Sequence, residues 1–375
     1  MKLIQPYPDH SSRIGVKAED RVGVEFPVFF VRHRYQHHAA PSGYDRLCDY
    51  IEGEEVRLSR FLYWMGETVL RVPLKLMVMT DGHREYSRYD AIEELEVIRH
   101  FLAHHNSIYH FIYGEKSYLH LARFAGRNGN KIIATLHQPL EHDRWMFRSM
   151  EHFKALDMAV VVSRSLIPFW EDIIGKGKVE YVPHPVDTGY FRPAIATADA
   201  RPKRCVFAGS HERDFDALER LVPELLSARG DMEFVLICGD SRCQRIAGEN
   251  PRVRWIRLAS DGEYLNMLQQ SDVMVIPMKM STTNNSILEG LACGLPVVTN
   301  LGGIGDYLNS ECSYQLPVGD IAGMRDAAIR LLDDGDLRSR MSAAARQQAC
   351  LFSWPVTARK MVEFYRRMQA KKAEH

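Results

Sequence analysis

The chain has 375 residues, with 48 Lys+Arg balanced by 48 Asp+Glu. That length accommodates two domains of ordinary size, each with its own core, and the zero net charge removes any global field that would gather nucleic acid. The apolar fraction of 46% and charged fraction of 26% are those of a soluble globular protein, and no apolar run reaches the ~18 residues of a membrane span.

The N-terminus, "MKLIQPYPDH", turns polar too soon for a secretory leader. Seven scattered cysteines without C-x-x-C spacing read as free thiols of a reducing compartment rather than as disulfides or zinc ligands. The expected location is cytoplasmic, with a peripheral membrane contact left open.

Residues 1–24 read as an irregular arm. "FPVFFVRH" (26–33) is a continuous apolar run, as expected of a strand buried on both faces. A polar loop, "RYQHHAAPSGYD", and a helical pattern from Arg46 follow. "LKLMVM" (74–79) reads as a second strand and "YDAIEELEVIRHFLAHH" (89–105) as a helix, acidic early and basic late. "SIYHFIYG" (107–114), "NKIIATLHQP" (130–139), "MAVVVSRS" (158–165) and "VEYVPHPVD" (179–187) are further strands. Residues 187–204, with two prolines and little periodicity, read as a linker.

The pattern then restarts. Strands are expected at 205–210, 233–240, 253–258, 272–278 and 296–300, and helices at 216–226, around Glu263, over "SILEGLACG", and at 320–335 and beyond. Strand–helix alternation in two blocks predicts two doubly wound parallel sheets. "FSWPVTARKMVEFYRRMQAKKAEH" (352–375) opens on Ser353 and Pro355 and carries Met361, Val362, Tyr365 and Met368 on one stripe, so it should be a packed terminal helix. The expected boundaries are 1–190 for the first domain, joined by residues 352–375, and 203–350 for the second.

One residue stands out. "SILEGLACGLPVV" (286–298) places Glu289 in an apolar, small-residue run, directly after the polar loop "MSTTNN". Burying a carboxylate costs several kcal/mol unless hydrogen bonds satisfy it. Ligands of open α/β sheets sit beyond the carboxyl ends of the strands, and the N-terminus of the helix after "DVMVIPM" offers free N–H groups to an anion such as a diphosphate. One turn in, Glu289 could accept hydrogen bonds from a ribose diol. An acid that merely complements the helix dipole would look the same on composition.

"NNSILEGLACGLPVVTNLGGIGDYL" (284–308) resembles the signature of retaining, nucleotide-sugar-dependent glycosyltransferases of the GT-B fold, family 4 type. "YVPHPVDTGYFRP" (181–193), "FAGSHERDFDAL" (207–218) and the helices from "PVGDIAG" to "FSW" resemble further family segments in the same order. The likeness is close over residues 130–370 and weak before them.

The resemblance implies a GT-B fold, two Rossmann-like domains facing each other across a cleft. It also implies a retaining hexosyl transfer from a nucleotide diphosphate sugar, a UDP-sugar before a GDP-sugar, to a glycan, lipid-linked or small-molecule hydroxyl acceptor. No metal or other cofactor is expected. By the same resemblance, Glu289 holds the ribose hydroxyls, and the loop at Ser281, Thr283, Asn284, Asn285 and Ser286 faces the donor. Gly209, Ser210, His211 and Arg213 form the phosphate loop. Arg213 stands where the family has a lysine, and arginine would add a bidentate fork.

His137, in "TLHQP", would stabilise the reacting centre with Arg213, and Ser42, Gly43 and Tyr44 would form the acceptor-side turn. Three departures stand against the family pattern: Ser281 replaces a second glutamate, Ser210 replaces a loop arginine, and His184–Pro185 replaces an asparagine–glycine pair. A nucleotide-sugar epimerase and a non-catalytic carbohydrate-binding homologue are the alternatives. The "HRYQHH" cluster (33–38) follows no standard metal-ligand spacing and reads as a solvated loop. No G-x-G-x-x-G follows a predicted strand, which argues against a dehydrogenase.

Overall fold

The structure is a computed structural model that describes residues 16, 18–32, 41–80, 83–194 and 201–370. Two six-stranded parallel sheets organise it. The first contains β1 (Val28–Val31), β2 (Glu54–Glu55), β3 (Ile108–Phe111), β4 (Lys131–Leu136), β5 (Met158–Val161) and β6 (Val179–Tyr181), in the order β2-β1-β3-β4-β5-β6. The second contains β7 (Lys203–Ala208), β8 (Met232–Ile237), β9 (Val253–Ile256), β10 (Val273–Ile276), β11 (Val297–Asn300) and β12 (Ser313–Leu316), in the order β12-β11-β10-β7-β8-β9.

The central strands are largely apolar and buried because helices cover both faces of each sheet. Val28–Val31, Ile108–Phe111 and Val273–Ile276 are buried at every position. The helix Trp354–Ala370 returns to the first sheet. Its Trp354, Ala358, Met361, Val362 and Tyr365 share one core with Val28, Phe30, Tyr44 and Leu47. The stripe Met361, Val362, Tyr365 and Met368 is therefore buried, as its spacing predicts. Trp354 stacks on Tyr50 at 5.5 Å between ring centroids, and Tyr365 OH meets His110 Nδ1 at 2.5 Å.

The sequence expectation needs correction at residues 74–79. "LKLMVM" lies within the helix Arg71–Thr80. Leu70, Leu74 and Val78, four residues apart, face a small satellite core with Tyr86 and Ile92, and that spacing is helical. Pro73 falls in the first turn, where its missing N–H costs nothing. The short edge strands β2 and β12 were not foreseen, because two to four mixed residues carry no period. The "HRYQHH" cluster and residues 1–15 of the arm lie outside the described residues.

Candidate functional site

Each sheet reverses its winding at one place. In the first this falls between β1 and β3, and in the second between β7 and β10. Such switch points open a crevice at the strands' carboxyl ends. The segments that leave these four strands carry Ser42 and Gly43, Glu115, Arg213 and Glu289. Topology alone therefore gathers the main candidate residues at two facing crevices.

Glu289 sits on the helix Asn285–Ala292, after β10. That helix lies close on its strand because residue 290 is glycine: a Cβ there would come within 2.6 Å of the Met274 side chain. Glu289 is only 5% exposed. Its two carboxylate oxygens are each satisfied by a neutral hydroxyl, Ser42 Oγ at 2.5 Å and Tyr264 OH at 2.6 Å. Burial pushes its pKa above the ordinary carboxylate value, and the two hydroxyls pull against that shift. The carboxylate is thus built to accept from two uncharged O–H groups, the donor pair that a vicinal diol presents.

Arg213 follows β7 and is wholly enclosed. The turn that brings it in needs Gly209, whose φ of +83° belongs to the left-handed region and whose missing Cβ would come 2.7 Å from Arg213 Nη2. The guanidinium donates twice to Ala208 O, at 3.0 and 2.8 Å, and also to His211 O at 3.0 Å and Asn284 Oδ1 at 3.1 Å. Asn284 in turn caps the helix by accepting from Ile287 N.

No ion pair among the described residues contains Arg213. Burial lowers its pKa to about 10. A buried cation held by carbonyls, at the N-terminus of a helix and offset only in part by Glu289 and Glu212, is a centre of positive potential. The bidentate fork expected from sequence is not presented outward, because carbonyl acceptors engage most of the guanidinium's donors. Arg213 acts here as a fixed charge. Ser286 Oγ lies 3.4 Å from it, Ser281 Oγ donates to Thr283 O, Asn285 lines the groove, and Ser210 and His211 are exposed.

In the first lobe, Gly43 has φ +101°, which lets the turn pass close to the groove. Tyr44 and Tyr113 pack their rings against His137 at 4.7 and 4.8 Å. His137 leaves β4, and both its backbone N–H and its Nδ1 meet Glu115 Oε1, at 3.1 and 3.2 Å. The carboxylate fixes the proton on Nδ1 and leaves the buried Nε2 as an acceptor with no partner. From sequence, His137 is expected near the reacting centre and Gly114–Glu115 as a strand end lining the cleft; the contact between Glu115 and His137 carries no local signal.

Tyr264, on the helix Asp261–Gln269, was missed because nothing in its local spacing marks it. Asp143 was missed as well. It lies one turn into the helix Leu140–Met146 with both oxygens buried and unpartnered, and burial, aided by the Glu115 charge, pushes it up to about 9. Trp145 is exposed, whereas Phe147 is buried.

The lobes touch at several points besides Ser42–Glu289. Thr282 Oγ1 donates to His137 O at 2.6 Å. Tyr307 OH donates to Val162 O and accepts from His184 N, and Asp306 accepts from Ser163 Oγ at 2.8 Å. The groove beside Ser42, His184 and Glu289 has a volume of about 10 Å³, far below the roughly 300–1,000 Å³ of ligand pockets. A ligand the size of a nucleotide sugar enters only when the lobes part. Among the described residues, no group of three or more His, Cys, Asp or Glu is placed to hold a metal ion.

Residues 202–334 match the family model described as glycosyl transferases group 1. A D-inositol 3-phosphate glycosyltransferase of Corynebacterium urealyticum is 34% identical over 121 residues, which are 32% of this chain and 28% of the relative. A protein of the same name from Nocardioides sp. is 29% identical over 225 residues, 52% of this chain and 49% of the relative. The chain thus spans about a quarter to a half of the length of the curated relatives it matches. Among solved structures, Anabaena Alr3699/HepE in complex with UDP aligns over 91% of this chain and 100% of its own, with a TM-score of 0.65 at 11% identity. The second lobe thus resembles the group 1 glycosyl transferases over residues 202–334, and the two facing parallel sheets give the chain the GT-B fold of its solved neighbours.

Proposed function

We propose that the protein transfers a hexosyl group from a nucleotide diphosphate sugar, with UDP as the favoured nucleotide, to a hydroxyl of a glycan, lipid-linked or small-molecule acceptor, with retention of anomeric configuration. The observation that carries this reading is the buried Glu289 carboxylate with its two neutral hydroxyl donors. A ribose diol would replace Ser42 Oγ when the lobes part, with Tyr264 OH left to orient the carboxylate. The UDP complex of the Anabaena neighbour favours the nucleotide, and the small-molecule acceptor named in the curated relatives favours a compact polyol acceptor.

In this reading the diphosphate lies at the N-terminus of the helix Asn285–Ala292, where the free N–H groups and the buried Arg213 charge stabilise the leaving group as its negative charge grows. No metal is required for that step. His137 Nε2, held in its tautomer by Glu115, accepts a hydrogen bond from a hydroxyl at the reacting centre. The attacking hydroxyl approaches the face from which the diphosphate leaves, and a phosphate oxygen takes its proton. Closure through Thr282–His137 excludes water that would hydrolyse the donor.

The test is Glu289→Ala, assayed by calorimetry with UDP and by product analysis with UDP-sugars. Loss of two charge-assisted hydrogen bonds, about 1.5–3 kcal/mol each, should weaken UDP binding at least about tenfold and abolish transfer. Unchanged affinity with surviving transfer would refute the assignment. A product formed from donor alone, with its sugar epimerised, would identify an epimerase instead.

A further inference from the structure

The first lobe carries an exposed apolar face that the reaction does not use. The helix Arg60–Glu67, the helix Arg71–Thr80 and the turn between them form a hairpin packed against the helix Arg88–Ala103. The packing is close: a Cβ at Gly66 would come 2.4 Å from Ile92 Cδ1. Leu74, Tyr86, Ala91 and Ile92 complete this inner side.

The outer side is apolar too. Phe61 is 67% exposed, Trp64 55%, Val69 67%, Val72 66% and Leu76 59%, five of the large exposed apolar side chains of the described chain, all within sixteen positions. Phe61 and Trp64 stand one turn apart with ring centroids at 6.3 Å. Scattered single apolar residues on a surface need no explanation, but a contiguous patch does.

Charge identifies what covers it. Residues 55–80 hold four cations, Arg57, Arg60, Arg71 and Lys75, against two carboxylates, Glu67 and Glu55, the latter paired with Arg57 at 3.6 Å. Glu67 is already engaged by Arg88 at 2.8 Å, and the ion pairs among the described residues do not include Arg60, Arg71 or Lys75. A second copy of the chain would bring these cations against their equals, which disfavours self-association. A surface of anionic lipid headgroups meets them with opposite charge, while the apolar row reaches the acyl boundary and Trp64 takes the interfacial position that tryptophan prefers.

We propose that the 60–76 hairpin docks the first lobe onto an anionic membrane surface, lying in the interface rather than crossing it. None of its residues belongs to the candidate site. The experiment is co-sedimentation of the full chain with phosphatidylcholine vesicles, with and without phosphatidylglycerol. Binding is expected only with phosphatidylglycerol, and it should fall as salt rises. F61S/W64S should reduce the bound fraction about tenfold, and R60E/R71E/K75E should abolish the preference for the anionic vesicles. Both variants replace exposed side chains, and their melting temperatures check that they fold. Absence of binding, or equal binding by wild type and variants, overturns the proposal. Concentration-dependent dimerisation abolished by F61S/W64S also overturns it and gives the face to a second copy.

Discussion

Ser42 Oγ lies 2.5 Å from Glu289 Oε1 and joins residues 247 positions apart, one from each lobe. The serine hydroxyl occupies the place proposed for a ribose hydroxyl, so in the closed groove it competes with the donor. Ser42→Ala should remove that competitor and tighten UDP binding a few-fold in a calorimetric titration. Weaker binding would show instead that Ser42 itself touches the ligand.

The Arg213 charge should be felt through the diphosphate. Arg213→Met should reduce UDP affinity far more than uridine affinity, so the difference between the two ligands collapses. Arg213→Lys, which keeps a charge but not the three-sided hold on Ala208 and His211 carbonyls, should fall between. Equal losses for UDP and uridine would point to a collapsed loop rather than a missing charge.

His110 gives a signed pH prediction. It is wholly buried between Tyr365 OH and Thr135 Oγ1, and burial, with a smaller push from His137, lowers its pKa from 6.5 to about 3. Only the unfolded chain takes up the proton between those values. The ring's contribution is complete above pH 6.5 and is lost as pH falls toward 3, at ~1.4 kcal/mol per pH unit. His110→Gln should be less stable than wild type at pH 7, and denaturant melts should show the gap narrowing by ~2 kcal/mol by pH 5.

Asp143 has the opposite sign. Its folded pKa is raised from 3.8 to about 9, so its contribution is full below pH 3.8 and is lost as pH rises toward 9. Asp143→Asn should therefore raise the melting temperature, with a gain of about 2–4 kcal/mol at pH 8 and a smaller one at pH 5. A variant less stable than wild type at pH 8 would show that the carboxylate has a partner in solution.

The features most legible in the sequence were those with a period or a fixed order. Continuous apolar runs gave most of the central strands, the four-residue stripe of the terminal helix gave its buried face, and an acid one turn into an apolar helix gave Glu289. What escaped depended on long-range closure. Nothing local to Tyr264 says that its hydroxyl meets Glu289, and nothing in "SGYD" says that Ser42 crosses to the other lobe. Arg213 was legible as a charge but not as a donor set already engaged by carbonyls, because the turn that folds it inward depends on Gly209. "LKLMVM" misled because five apolar positions and one charge fit a strand until Leu70, Leu74 and Val78 are read together.

The helix Trp354–Ala370 supplies Trp354, Met361, Val362 and Tyr365 to the core of the lobe built from the opposite end of the chain. During synthesis, β1 through β6 emerge long before the residues that cover them. The second lobe can therefore complete its fold on the ribosome while the first lobe still waits with an uncovered sheet, so nascent chains stalled before residue 354 should be the ones that chaperones recognise.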